Sequence, residues 1–311
     1  MILRYLFKIL IILAIAGACY LLWKTLSQYT FDEIYRTVLQ IPGDHLALGL
    51  AFALASYLCL SLFDALAIRY IGKVLPLWQT TLTSFVALSL GHNIGVAALS
   101  SGAIRYRYYS RWGLSAAEVG LVITFCGVTV ALGLSTLGSA SLFLRATEAS
   151  ELTGLGHSGI MALACAGILL PIGYLCAAAF SRRSITIRGQ VLKLPNLKLA
   201  CLQLLVGTVN FALVAASLHQ MLSAFSDANY LKVAAVSIIA NVAAIISHVP
   251  GGVGVLEATV AAIMPGVHAV AAVIAFRVVY YFLPLAGGLL LLAASEFAIP
   301  AKKAKDVTSA G

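Results

Sequence analysis

The chain has 311 residues, 61% of them hydrophobic and only 10% charged, with a formal charge of +9. A mean hydropathy of +1.00 and a charged fraction far below the roughly 25% of soluble domains exclude a soluble globular protein and leave an integral membrane protein. No polar stretch is long enough to fold separately, and a nucleic-acid partner is excluded because the basic patches are hemmed in by apolar segments.

In chain order, Arg4 and Lys8 introduce an apolar run from Tyr5 to Trp23. It continues past Ala16-Gly17-Ala18-Cys19, so it predicts an uncleaved first helix and not a signal sequence. His45 to Phe63 predicts the next span. Val74 to Ile104, Val119 to Leu144, Leu152 to Ser181, Leu199 to Ser226 and Val233 to Leu256 are free of Asp, Glu, Lys and Arg. Each exceeds the roughly 20 residues that cross about 30 Å of hydrocarbon. Ala258 to Phe276 and Val278 to Ser295 complete the series. Ser115-Ala-Ala-Glu118 fits a capping box at a helix start. Cys19, Cys59, Cys126, Cys165, Cys176 and Cys201 lie in apolar segments with no Cys-x-x-Cys pair, so no metal site, disulfide framework or cofactor is expected.

Fifteen of the twenty basic residues gather in five clusters: Arg4 and Lys8; Arg69 and Lys73; Arg105, Arg107 and Arg111; Arg182, Arg183, Arg188, Lys193 and Lys198; Lys302, Lys303 and Lys305. If every run crossed, two clusters would face the wrong side by the positive-inside rule. All five face the cytoplasm if 77–109 dips in from the cytoplasm and returns, and 230–265 does the same from outside. The expected fold is an all-α polytopic membrane protein of about six full transmembrane helices plus two re-entrant hairpins, eight hydrophobic segments in an inverted repeat. Both termini are expected in the cytoplasm. One membrane domain spans 1–300: a first helix and outer loop (1–45), repeat one (46–144), a linking helix and basic loop (145–198) and repeat two (199–296). A short basic tail, 297–311, follows. Hairpin legs of about twelve residues rise roughly 18 Å, which brings both tips past the bilayer midplane. Such repeats place a substrate site between the halves.

His248-Val-Pro-Gly-Gly-Val-Gly-Val-Leu-Glu257 is the strongest local signal, because no continuous helix passes through it. The break at Pro250, Gly251, Gly252 and Gly254 frees backbone groups that lipid cannot satisfy, which makes it a candidate binding or transport site. Arg277, deep in the last span, needs an anion: Glu257, Asp64 or a passing phosphate. Glu257 follows the break, where it serves as a helix cap, a proton-coupling carboxylate or a partner for a cationic headgroup. His92 and His248, one near each tip, are candidate proton carriers or histidines satisfied by the backbone. Asn241 is either a helix-joining amide or a site residue. Arg105-Tyr-Arg-Tyr-Tyr-Ser-Arg-Trp112 reads as interfacial anchoring or as lipid-phosphate recognition, with Arg105 and Arg107 foremost. Gly156-His157-Ser158-Gly159 has the form found in some intramembrane serine proteases, but its serine is placed near the outer surface. No phosphate-binding glycine loop or paired-aspartate signature appears, so no enzyme activity is expected.

At these residues a family resemblance enters. Gly102-Ala-Ile-Arg-Tyr-Arg-Tyr-Tyr-Ser, Gly113-Leu-Ser-Ala-Ala-Glu118 and Pro250-Gly-Gly-Val-Gly-Val-Leu-Glu257 resemble the membrane region of the lysylphosphatidylglycerol synthase and flippase family. The likeness covers roughly Leu46 to Glu296. It implies a flippase-like fold, with Arg105, Arg107, Pro250, Gly251, Gly252, Gly254 and Glu257 at matching positions. The sequence lacks the soluble aminoacyl-transferase domain of the larger members, so synthesis of the aminoacylated lipid is not expected.

The resulting expectation is an inner-membrane flippase-like transporter that moves a phosphate-bearing lipid headgroup, aminoacylated or not, between leaflets. Its partner is then a membrane phospholipid or another phosphate-bearing lipid. The alternative is a non-transporting scaffold or regulator of envelope-lipid enzymes. A homo-oligomer and an envelope-lipid enzyme are the protein partners these readings leave open.

Overall fold

A computed structural model describes residues 30–94, 97–180, 184–187, 190–247, 252, 255–263 and 267–298. The predicted first span, the basic tail, and His248, Pro250, Gly251 and Gly254 lie outside the described residues. The described part of the chain is helical except for one small β-hairpin. It begins with α1 (Phe31–Gln40) and α2 (Gly43–Tyr70), followed by the paired helices α3 (Leu77–Ile94) and α4 (Ala97–Arg111). Next come α5 (Ala116–Leu144), α6 (Ala146–Thr153) and α7 (Gly156–Phe180), then strands β1 (Ser184–Ile187) and β2 (Gln190–Lys193). The second half has α8 (Leu197–Ser223), α9 (Tyr230–Ser247), α10 (Val255–Ile263) and α11 (Val267–Arg277). A π-helical turn (Val278–Phe282) leads into α12 (Leu283–Ala298). The antiparallel β1–β2 ladder and the short helices α1 and α6 occupy stretches that the hydropathy pattern reads only as loop.

Among the described residues, five helical segments are long and apolar enough to cross a membrane: Gly43–Tyr70, Ala116–Leu144, Gly156–Phe180, Leu197–Ser223 and Ala271–Ala298. Their starts follow local chemistry. Ser115 accepts from the Glu118 N–H while the Glu118 carboxylate accepts from the Ser115 N–H, completing the expected capping box. Asn196 caps α8 by accepting from the Leu199 N–H.

The first hairpin returns to the side it came from. Trp78, at the start of α3, meets Trp112, just beyond α4, with ring centroids 5.7 Å apart. Lys73 reaches Glu118 across the same end at 3.1 Å. Near the tip, His92 lies against Tyr57, halfway along α2. The legs have 18 and 15 residues, longer than the expected twelve, because α3 stays helical as far as Ile94 at the tip and α4 runs on through the polar stretch to Arg111. The second hairpin is less even, with legs of 18 and 9 residues.

The halves are inverted with respect to each other. His45 contacts Gln220, Ser217 donates to the Gly49 carbonyl, and Ser56 donates to Asn210. One partner's numbers rise as the other's fall, so α2 and α8, the opening spans of the two halves, run antiparallel. The remaining contacts are reciprocal. The closing span of the first half, α5, packs on α8 and α9, while the closing span of the second half packs on α2 and α3. Where α5 crosses α8, a Cβ at Gly133 or at Gly207 would strike the other helix's backbone. Small residues at this crossing allow the close approach that helices need in lipid.

Candidate functional site

Two arginine–carboxylate pairs lie inside the membrane domain. In the first half, Asp64 of α2 is fully buried and Arg105 of α4 is 4% exposed. Arg105 Nε donates to Asp64 Oδ1 at 2.9 Å and Nη2 to Oδ2 at 2.8 Å, a two-pronged bond of the strongest kind. The Tyr109 hydroxyl also donates to Oδ1, and Arg105 Nη1 donates to the Ser101 hydroxyl. Arg105 is therefore held inside the protein, where it clamps the returning leg of the hairpin to α2. Asp64 pairs with this distant arginine and not with Arg277.

In the second half, Arg277 is 2% exposed. Its Nε donates to Glu257 Oε1 at 2.5 Å, and its Nη2 donates to Glu257 Oε2 at 2.8 Å and to the Gly252 carbonyl at 3.0 Å. Gly252 has φ +59°, a left-handed conformation that suits glycine at the helix break. Of the anions open to Arg277 in the sequence, the structure brings Glu257 to it. The pair thus ties the broken hairpin to the last span.

The last span is itself interrupted where it meets the first hairpin. Proline cannot donate to the carbonyl four residues back, so Pro284 leaves the Tyr280 carbonyl without its helical partner. The Leu283 N–H bonds instead to Val278 O in a π-turn, a distortion frequent at functional sites. The Tyr57 hydroxyl donates to the Tyr280 carbonyl at 3.3 Å. Ser56 spends its hydrogen on Asn210, so the Tyr280 hydroxyl donates to Ser56 at 2.8 Å. His92 is surrounded by this cluster. Its ring centroid is 6.1 Å from Tyr57, 6.3 Å from Tyr280 and 6.3 Å from Tyr281. Its Nδ1 is buried without a hydrogen-bond partner. The Arg277 guanidinium stands 5.7 Å above the Tyr281 ring, within range of cation–π attraction. Both hairpins thus converge on 277–281, one through His92 and the other through Glu257.

The remaining sequence candidates lie elsewhere. Asn241 donates to the Ser237 carbonyl of its own helix. Arg107 and Arg111 share Glu296 at the end of α12, and Arg107 Nε is buried without a partner. The tyrosine cluster is absent from the sequence candidates. The signals for it were Pro284 four residues after Tyr280, and a Tyr-Tyr pair within a predicted span.

No family model matches the chain. It is 30% identical over 285 residues to the inner membrane protein YbhN of Escherichia coli, covering 89% of this chain and 88% of that protein. It is 29% identical over 285 residues to the uncharacterized protein slr0712 of Synechocystis sp., covering 87% of this chain and 85% of the relative.

Proposed function

The chain belongs to the family of the inner membrane protein YbhN, and from that premise we propose that it is an inner-membrane flippase-like transporter of a phosphate-bearing lipid. The observation that carries this reading is Arg277: a guanidinium 2% exposed, bonded to Glu257 and to the Gly252 carbonyl at a helix break, where the two inverted halves meet. A lipid headgroup crosses the bilayer slowly because its charge must be desolvated. Arg277 lowers that barrier by exchanging Glu257 for the lipid phosphate, while the acyl chains remain in the bilayer. The resemblance of the Arg105 to Arg111 and Pro250 to Glu257 runs to the lysylphosphatidylglycerol synthase and flippase family supports the same assignment. The basic clusters support a cytoplasmic open end for the first hairpin.

Leaflet transfer of a labelled phospholipid in proteoliposomes tests the proposal. The intact protein accelerates transfer over protein-free vesicles and Arg277→Ala abolishes it with folding retained; equal rates with and without protein contradict it. One observation favours the scaffold reading: both arginines already have carboxylate partners, as purely structural pairs would. Under that reading the reconstituted protein moves no lipid, with or without a proton gradient.

A further inference from the structure

Among the described acidic side chains, Asp64 and Glu257 are the ones held inside the membrane domain, with no exposed surface on Asp64 and 14% on Glu257. Each deep carboxylate meets one arginine through both of its oxygens. A guanidinium fork fits a phosphate as well as it fits a carboxylate, so a lipid phosphate can take the place of Glu257 on Arg277.

His92 adds a second requirement. Its buried Nδ1 has no partner, and the surrounding groups do not supply one. The Tyr57 hydroxyl is committed to the Tyr280 carbonyl and the Tyr280 hydroxyl to Ser56. A ring nitrogen accepts in one tautomer and donates in the other, and a hydroxyl satisfies either. The aromatic faces of Tyr57, Tyr280 and Tyr281 around it present C–H and π surface and no further charge.

We infer that the site takes a phosphate ester whose headgroup is an uncharged polyol, such as glycerol or a sugar, with the phosphate at Arg277 and a hydroxyl at His92 Nδ1. This rests on the transport reading above and names its substrate class.

The test is lipid retention, which requires no transport. Purified protein in mixed micelles is offered equal amounts of phosphatidylglycerol, phosphatidylmethanol and phosphatidylethanolamine, and the retained lipids are read by native mass spectrometry. Phosphatidylmethanol has the charge of phosphatidylglycerol without its hydroxyls. The wild type is expected to favour phosphatidylglycerol over phosphatidylmethanol about 3- to 10-fold, the worth of one hydrogen bond, and over phosphatidylethanolamine by at least as much. His92→Phe removes the first preference, and His92→Gln, which keeps a polar side chain, restores part of it and controls for folding. Displacement by water-soluble glycerophosphoglycerol supports the assignment for the free ester as well as the lipid; failure to displace supports it for the lipid alone. Equal retention of all three lipids, preference for the amine, or an unchanged ratio in His92→Phe overturns this inference alone. Retention of none overturns the transport reading with it.

Discussion

Arg105 and Arg277 each grip a carboxylate with two nitrogens inside the membrane domain, yet their surroundings differ. Asp64 has no exposed surface and also receives the Tyr109 hydroxyl, and its arginine joins two regular helices of the same half. The Glu257 side chain is 14% exposed, and its arginine holds the carbonyl of a helix break and stands one residue before a π-turn. The same chemistry is a fixed staple in one half and, in the other, a junction between two irregular segments. Irregular backbone has hydrogen bonds that can be remade, and in lipid it persists only where protein or a polar path covers it. On the transport reading proposed above, motion and substrate are assigned to the second pair.

Breaking the staple should have the largest effect. Asp64→Ala leaves a buried guanidinium without a partner and should cost about 3–5 kcal/mol of stability, read from denaturant titration in detergent. Replacing both partners, Asp64→Leu with Arg105→Met, should recover most of that loss, because no unpaired charge remains. A smaller stability loss, about 1–3 kcal/mol, is expected for Glu257→Ala, since Arg277 keeps the Gly252 carbonyl and the Tyr281 ring face; leaflet transfer should nevertheless vanish. If Glu257→Ala destabilises as much as Asp64→Ala, the contrast between the pairs fails. Tyr57→Phe removes the donor that serves the Tyr280 carbonyl beside Pro284 and should cost about 0.5–1.5 kcal/mol. It should also slow transfer by altering the π-turn. Ser115→Ala removes a cap outside both pairs and should cost about 1 kcal/mol with transfer per folded molecule unchanged, a control for non-specific loss.

Much of the fold was legible because lipid imposes it: apolar runs of the right length, basic clusters and one proline-glycine break define spans and hairpins without tertiary information. Ser115 and Glu118 were equally legible, since a capping box is local. That Arg277 needs an anion was legible because a deep charge requires a partner, but Glu257 was only one of three candidates beside Asp64 and a passing phosphate. The partner of Arg105 was not legible: it is 41 residues away, and the immediate neighbours of Arg105 resemble an interfacial belt. The cluster of His92, Tyr57, Tyr280 and Tyr281 was hidden because its members come from three separate helical segments. The packing of α3 and of the π-turn before Pro284 against α2 brings them together.

The most direct test compares two charge-neutralising variants in one experiment, Asp64→Asn and Glu257→Gln, each measured for thermal unfolding and for lipid transfer in proteoliposomes. The account predicts that Asp64→Asn lowers the unfolding temperature sharply, while Glu257→Gln unfolds near the wild-type temperature and loses transfer. A Glu257→Gln protein that moves lipid at the wild-type rate would contradict it.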